Sequence, residues 1–386
     1  MSNPSDLAGP RLRSVLSGRA GLLPRQDIRD LVRRGFLRAS EDIVEAQYQP
    51  ASLDLRLGRT AYRVRASFLP GEHATVEEKL RVLGWEKISL DEGAIFERGC
   101  VYVVDLLEHL DLPESISAAA NPKSSTGRLD VFTRLITDRS EVFDSVEGGY
   151  SGRLYAEVSP RTFSIKVRRG TRLNQIRFRR RNSNQDELAD FRLPDARLRE
   201  MHAVSPLVDG DLAVRNGLVL RIGLSGFGPD RLVGFRAQRH TDVIDVERIA
   251  AYPAADYWEP IRAREDERLI LDPHEFYILA SKERLHIPPT HAAEMVPIDP
   301  LMGEFRVHYA GFFDPGFGWS ETGHPGSRAV MEVRSHEVPF NLEDGQMVCR
   351  LAYEGMADEP DALYGAIGTS NYQGQDLKLS KQFRTD

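Results

Sequence analysis

Two stretches of the sequence decide the fold: VVDLLEHLDLP at Val103–Pro113 and ILASKERLHIP at Ile278–Pro288. They lie 175 residues apart. The same offset relates the segment YAEV, which contains Glu157, to the segment VMEV, which contains Glu332. Because several anchors keep one constant offset, the sequence predicts an internal duplication rather than a chance similarity of apolar strands.

Strand signals dominate the chain. Its 31 glycines and 22 prolines divide it into short segments rich in Val, Ile, Leu, Phe and Tyr, which is typical of an all-β sandwich or barrel. Helix signals are few, the best being Pro24–Leu37 and then Glu77–Leu83. We therefore expect an all-β fold of two domains, residues 1–200 and 201–386. The polar stretch Asn182–Arg199 is predicted to be the linker, and the run Arg179–Arg181 its solvated start.

Composition excludes several classes of protein. A net charge of -7 over 386 residues disfavours binding to a nucleic-acid polymer. No apolar run approaches the ~20 residues of a membrane span, and the N-terminus lacks a secretory signal. The two cysteines, Cys100 and Cys349, form no C-x-x-C pair, so the thiolate–zinc site of zinc-dependent base deaminases is absent. We expect a cytoplasmic protein without zinc.

The turn KSSTGR at Lys123–Arg128 carries the strongest local signal. Two cations, three hydroxyls and a glycine lie within six residues, directly after Pro122. Such a group can bind a polyphosphate through charge-assisted hydrogen bonds and backbone amides. A solvated polar turn is the plain alternative, and the spacing is not that of a Walker loop.

A carboxylate lies inside the predicted strand Gly152–Val158. Glu157 shares one face of this strand with Tyr155 and Arg153, because side chains alternate along a strand. Burial among apolar neighbours would raise its pKa and suit it to proton transfer near neutral pH. A salt bridge with a nearby arginine is the alternative.

The segment QPASLDLRLG at Gln49–Gly58 resembles the Q-P-x-S-x-D-x-x-L-G signature of the dCTP deaminases. Other segments match that family in the same order. They are Leu22–Phe36 as the N-terminal helix, Lys123–Arg128 as the phosphate motif, Glu157 as the catalytic glutamate, Gly170–Phe178 with Gln175 as the late strand, and Tyr364 with Asn371–Ser380 as the tail that closes over the nucleotide.

The resemblance implies a fold, an activity and a set of site residues. It implies two tandem distorted jelly-roll (dUTPase-like) domains that assemble as a homo-oligomer with three-fold symmetry. It implies hydrolysis of dCTP to dUTP and ammonia by a glutamate-activated water, with Mg²⁺ carried by the triphosphate. The catalytic residues would be Glu157 and Ser124, and the substrate-binding residues Lys123, Ser125, Arg128, Asp144, Tyr155, Gln175, Tyr364 and Gln375.

The two copies depart from the family pattern in different ways. The hairpin that should hold the base is long in the first copy, where Asp144 is the matching residue. The second copy has a cleaner hairpin, Tyr309–Gly318, which resembles the uracil-binding motif of dUTPases with Asp314 at the water-activating position. However, Ile298–Pro300 replaces the phosphate motif there, and Arg350 replaces Gln175.

Two arrangements of the site follow. In the first, the first copy is catalytic through Glu157 and the second only supplies the tail. In the second, the copies share a site, to which the second copy contributes Ala310, Asp314 and Glu332. We favour the first, because Glu157 and the phosphate motif are both intact in one copy. A bifunctional enzyme that also hydrolyses dUTP to dUMP, and a non-catalytic nucleotide-binding regulator, are the alternative functions.

Overall fold

The structure of the chain is a computed structural model. It describes residues 15–16, 18–181, 191–297, 305–307, 311–320, 326–335, 337–366, 368 and 370–384. Strands dominate these residues and the helices are short. The predicted fold class, all-β with a few short helices, is confirmed.

The elements of each half can be given in chain order. The described first half contains helices α1 (Arg25–Arg33), α2 (Val76–Leu83) and α3 (Ser124–Gly127), and strands β1 (Gly21–Leu22), β2 (Leu37–Ala39), β3 (Leu53–Leu55), β4 (Leu57–Val64), β5 (Gly84–Ser89), β6 (Ala94–Phe96), β7 (Val101–Asp111), β8 (Ile116–Pro122), β9 (Val131–Thr137), β10 (Ser145–Val146), β11 (Ser151–Pro160), β12 (Ile165–Val167) and β13 (Asn174–Arg180). The described second half contains helix α4 (Asp195–Val204) and strands β14 (Leu218–Arg221), β15 (Leu232–Ala237), β16 (Ile244–Asp245), β17 (Tyr252–Pro253), β18 (Trp258–Arg262), β19 (Arg268–Leu271), β20 (Tyr277–Leu285), β21 (His291–Pro297), β22 (Phe305–Val307), β23 (Phe312–Phe313), β24 (Ser327–Ser335), β25 (Phe340–Glu343), β26 (Met347–Gly355) and β27 (Phe383–Arg384).

The two halves contain the same pair of sheets. The first half has the orders β1-β13-β8-β10 and β5-β4-β7-β11-β9, and the second has β14-β26-β21-β23 and β18-β15-β20-β24-β22. The register repeats as well, since Glu157 pairs with Val103 and Glu332 pairs with Ile278. This agreement supports the duplication at an offset of 175 residues. The boundary at residues 200 and 201 stays a prediction and falls inside α4.

The core of each half lies between its two sheets. In the first half, Val104 and Ala156 from one sheet and Ile176 and Phe178 from the other are fully buried in one apolar cluster. Alternation along β13 directs Gln175, Arg177 and Arg179 to the opposite face. That face carries polar side chains and is covered by the second half of the chain.

The helices begin and end where local chemistry requires. Helix α2 starts at a capping box, in which Thr75 accepts from the Glu78 backbone N–H at 3.2 Å and Glu78 accepts from the Thr75 backbone N–H at 2.7 Å. Helix α1 is shorter than the predicted Pro24–Leu37, because Gly35 takes a φ of 76° and ends it.

One prediction about the connection between the halves was wrong. The linker at Asn182–Arg199 stays a prediction, and its end overlaps helix α4 at Asp195–Val204. Arg179 and Arg180 are buried rather than solvated. The Arg179 guanidinium donates to both carboxylate oxygens of Glu354, at 2.8 and 2.7 Å, and Arg180 donates to Asp27 at 2.7 Å. Partners far away in the sequence make burial of these charges possible.

Loss of the buried Arg179–Glu354 pair should destabilise the protein. We expect Arg179→Ala to lower the free energy of unfolding by about 3–5 kcal/mol, because it leaves a buried carboxylate without its counter-charge. Arg181→Ala is the matched control directly after the same strand. Its ion pair with Glu147 is exposed on the Glu147 side, so we expect a loss below about 1 kcal/mol. Denaturant titration measures both variants, and equal losses would contradict this account.

Candidate active site

A cleft lies between the two halves of the chain, and side chains from both of them line it. Its empty space, including the open mouth, is about 880 Å³. The lining residues are Gln49, Pro122, Lys123, Ser124, Ser125, Gly127, Arg128 and Gln175 from the first half, and Gly311, Phe312, Phe313, Asp314, Phe317, Val330, Glu332, Tyr364, Asn371, Tyr372 and Gln375 from the second.

The predicted phosphate turn forms one wall of the cleft. Strand β8 ends at Pro122, and the backbone then makes a single helical turn, α3, in which Gly127 and Arg128 donate to the carbonyls of Lys123 and Ser124. The Lys123 ammonium forms an ion pair with the buried carboxylate of Asp54. The turn is therefore held on its inner side, and its hydroxyls and cations line the cleft.

The C-terminal tail covers this wall. Arg128 donates to the side chain of Gln375 at 3.1 Å and to the backbone carbonyl of Lys378 at 2.8 Å. Its guanidinium carbon lies 3.8 Å from the centre of the Tyr372 ring, a cation–π contact. Ser380 donates to the Ser125 carbonyl at 2.7 Å. The tail is thus bound to the turn at several points.

The hairpin of the second half forms the facing wall. Strand β23 leads into the turn Asp314-Pro315-Gly316, where Gly316 takes a φ of 94°. A Cβ atom at Gly316 would lie 2.8 Å from the Leu363 side chain, so only glycine fits both the backbone angle and the space. The Tyr364 backbone N–H donates to the Pro315 carbonyl at 2.9 Å, which attaches the tail to this hairpin as well.

Asp314 connects the hairpin to the first half. Its carboxylate accepts from the Ala51 backbone N–H at 3.1 Å. Complete burial and the nearby Asp54 raise the pKa of Asp314 to about 7, although the Ala51 bond and Lys123 oppose the shift. Its carboxyl group is consequently able to exchange a proton near neutral pH.

Glu332 lies on β24 and points into the same cleft. It is 4% exposed and forms no ion pair within 4 Å with any described residue. Burial raises the pKa of Glu332 to about 7, against the opposing charge of Arg128. A buried carboxylate with this pKa beside hydroxyl and guanidinium groups has the properties of a general base.

Three predicted residues of the first half lie away from this cleft. Glu157 is 1% exposed, and one of its oxygens accepts from the Nε and Nη2 atoms of Arg134 at 3.1 and 2.6 Å. Asp144 has a φ of 61° and accepts from the Leu135 backbone N–H at 2.7 Å, and burial raises its pKa to about 7. Tyr155 packs in an apolar cluster.

The structure brings the other predicted residues together. Lys123, Ser124, Ser125, Arg128, Gln175, Tyr364, Gln375, Asp314 and Glu332 all line the cleft between the halves. Gln175 accepts from the Ser52 hydroxyl at 3.0 Å, within the segment that carries the family signature. Ala310, the remaining predicted residue, and Ile298–Pro300 lie outside the described residues.

Sequence reasoning missed Arg177 and Arg134. Arg177 on β13 is 1% exposed; it donates to Asn121 at 2.6 Å and to Glu294 at 2.8 Å, and it lies 4.2 Å from the Phe312 ring centre. Arg177 thus contacts Asn121 beside the phosphate turn and Phe312 in the facing hairpin. Arg177 could have been found from the alternation of Gln175, Arg177 and Arg179 on one face of a central strand, because such a polar face indicates a buried polar interface.

Two other kinds of feature are absent from the described residues. In the described part of the chain, His, Cys, Asp and Glu side chains do not gather in threes around a possible metal position. The helices of the same residues are too short or too polar to span a membrane.

Comparison with known proteins identifies the family. The family models for the N-terminal and C-terminal domains of 2′-deoxycytidine 5′-triphosphate deaminase match residues 19–182 and 194–383. The crystal structure of 2′-deoxycytidine 5′-triphosphate deaminase from Agrobacterium tumefaciens is 52% identical, with a TM-score of 0.83, and the match covers 89% of this chain and 99% of that one.

Curated relatives are about half as long as the chain. The "dCTP deaminase, dUMP-forming" of Halobacterium salinarum is 28% identical over 53% of this chain and 95% of its own length. The protein of the same name from Parafrankia sp. is 32% identical over 40% of this chain and 74% of its own length. The chain belongs to the dCTP deaminase family of hydrolases, which act on a carbon–nitrogen bond of a cyclic amidine.

Proposed function

We propose that this enzyme deaminates dCTP to dUTP and ammonia in the cleft between its two halves, with Glu332 as the general base. The observation that supports this most is the meeting of two half-sites. The Lys123–Arg128 turn comes from the first half, and Glu332 comes from the second. In the proposed site the first half supplies the phosphate turn and the second half supplies the general base, so the two copies share it.

The proposed reaction uses groups of both walls. Glu332 takes a proton from a water that Ser124 positions, and the resulting hydroxide attacks C4 of the cytosine ring. Glu332 passes this proton to N3, then takes the proton of the new C4 hydroxyl group and transfers it to the amino group, which leaves as ammonia while the C4 carbonyl forms. Lys123, Ser125 and Arg128 bind phosphate oxygens, and Tyr364 and Gln375 close the tail over the nucleotide and exclude water.

Mg²⁺ fits this site as a companion of the substrate. The turn offers cations and hydroxyls rather than a carboxylate cluster, so the phosphate oxygens would supply the ligands of the metal. The bound metal would neutralise phosphate charge. We also propose that the enzyme is a homo-oligomer with three-fold symmetry, that it is cytoplasmic and that it does not require zinc.

The electrostatic environments of the two glutamates favour Glu332 over Glu157. Glu157 forms an ion pair with Arg134, whose guanidinium lies 3.5 Å from the Phe143 ring centre. Glu157 also does not line the cleft, so it does not reach a water bound there. The proposal therefore departs from the sequence-based preference for Glu157.

Replacement of each glutamate separates the two assignments. We expect Glu332→Gln to lower kcat for ammonia release from dCTP by about 10²–10⁴-fold, the usual contribution of a general base. Glu157→Gln, the matched control at the equivalent position, should keep kcat within about threefold of wild type, since the residue does not line the cleft. Loss of activity in Glu157→Gln alone would return the catalytic role to the first half.

The pH dependence should report the raised pKa of Glu332. Only the ionised carboxylate accepts a proton, so kcat/KM for dCTP should fall about tenfold per pH unit once the pH drops below about 7. A steady-state series from pH 5.5 to 8.5 measures this, with Asp314→Asn as the control for the other group whose pKa is about 7. A flat profile down to pH 5.5 would contradict the assignment.

A bifunctional enzyme is the second candidate function. Asp314 lines the same cleft with a pKa raised to about 7, and relatives carry the name "dCTP deaminase, dUMP-forming". If Asp314 activates a second water, wild type releases pyrophosphate and dUMP together with ammonia. Asp314→Asn should then release ammonia and dUTP without pyrophosphate. Nucleotide binding without any product would instead identify the non-catalytic regulator.

A further inference from the structure

A second cleft lies directly behind the phosphate turn. Lys123, Ser125 and Asn371 line both clefts, so the two spaces meet at the turn and at the tail. The second cleft has about 800 Å³ of empty space, including its mouth. Other parts of its wall come from Arg172 and Leu173 just before β13, from the loop at residues 246–249 of the second half, and from Lys381 and Gln382 at the end of the tail.

Three cations face this second cleft, and for one of them the part of the chain that the structure describes offers no ion-pair partner. Asp54 pairs with Lys123 and lies 3.6 Å from Arg172. The Lys381 ammonium makes no hydrogen bond or ion pair with the described residues, although it lines the cleft. Burial and the like charges of Lys123 and Arg172 lower the pKa of Lys381.

The position of Lys381 is built rather than incidental. Its neighbours Ser380 and Gln382 are each 2% exposed. Ser380 donates to the Ser125 carbonyl at 2.7 Å, Gln382 donates to the Val246 carbonyl at 2.7 Å, and the Ala250 backbone N–H donates to the Lys381 carbonyl at 3.0 Å. These bonds fix the backbone on both sides of a cation that forms no ion pair with the described residues.

An anion would complete this arrangement. Holding like charges together in a half-buried cleft is unfavourable unless an opposite charge binds there. The carboxylates of the cleft are already engaged or lie at its rim, since Asp54 is paired and Glu247 is exposed. A phosphate group has the charge and the acceptor oxygens that Lys381 and Arg172 can bind.

We propose that this second cleft binds the terminal phosphate of the nucleotide, with Lys381 and Arg172 as its cations. The proposal rests on the proposed function, in which the base lies beside Glu332 and the Lys123–Arg128 turn holds the phosphates nearer the sugar. The order of groups along the two clefts then matches the order along a nucleoside triphosphate. Lys381 and Arg172 are therefore specificity-determining residues that select triphosphates over di- and monophosphates.

Binding measurements in a background without turnover test this selectivity. Dissociation constants for dCTP, dCDP and dCMP are measured by calorimetry in Glu332→Gln, alone and combined with Lys381→Met or Arg172→Met. We expect Lys381→Met to weaken dCTP at least about tenfold, the size of one charge-assisted hydrogen bond, and dCMP less than about twofold. Lys381→Arg should restore the preference for dCTP. Lys282→Met, which removes a cation paired with Asp344 far from both clefts, should change nothing.

Each other outcome has a definite meaning. Equal weakening of all three nucleotides, or no weakening in Lys381→Met, would overturn the proposal. If Lys381→Met weakens inorganic pyrophosphate but leaves dCTP unchanged, the cleft binds free phosphates and the assignment to the nucleotide is wrong. If wild type prefers dCTP through Lys381 but releases no ammonia, the proposed function fails while this inference stands. If wild type does not bind dCTP, both fail.

Discussion

The polar face of β13 is the constraint on which the arrangement of the two halves depends. The side chains of Arg177 and Arg179 project from this face into the interface between the halves. There Arg177 donates to Glu294, and Arg179 donates to Glu354. Burial alone would raise the pKa of Glu294, but the two arginines overcome it and lower that pKa to about 2. Removing one member of such a buried ion pair leaves an uncompensated charge and is strongly destabilising. The two pairs therefore stabilise the observed placement of the halves.

The geometry of the cleft follows from that placement. The guanidinium of Arg177 donates to Asn121, which directly precedes Pro122 and the phosphate turn, and it also lies against Phe312 in the facing hairpin. One buried side chain thus contacts the supports of both walls. A change in the interface would alter the distance between the turn and Glu332, even though Arg177 itself does not line the cleft.

The sequence predicted the parts of the site better than their assembly. The constant offset and the strand pattern were sufficient to predict the all-β fold. The predicted turn at Lys123–Arg128 lines one cleft together with Gln175 and Gln375. Local sequence does not distinguish Glu157 from Glu332 as the general base, since the duplication puts both on equivalent strands in the same register. The burial of Arg179 was missed for a related reason: its partner Glu354 lies 175 residues away.

The duplication leaves the two equivalent glutamates in opposite electrostatic states. Glu157 has a permanent counter-charge in Arg134, which is held between Phe132 and Phe143 at 4.7 and 3.5 Å from their ring centres. Glu332 has no such partner among the described residues, and its raised pKa reflects this. A buried carboxylate is stable without ligand only if it is paired or can take up a proton. The first copy pairs its glutamate with Arg134, whereas the raised pKa of Glu332 favours proton uptake, which is the property on which its proposed general-base role rests.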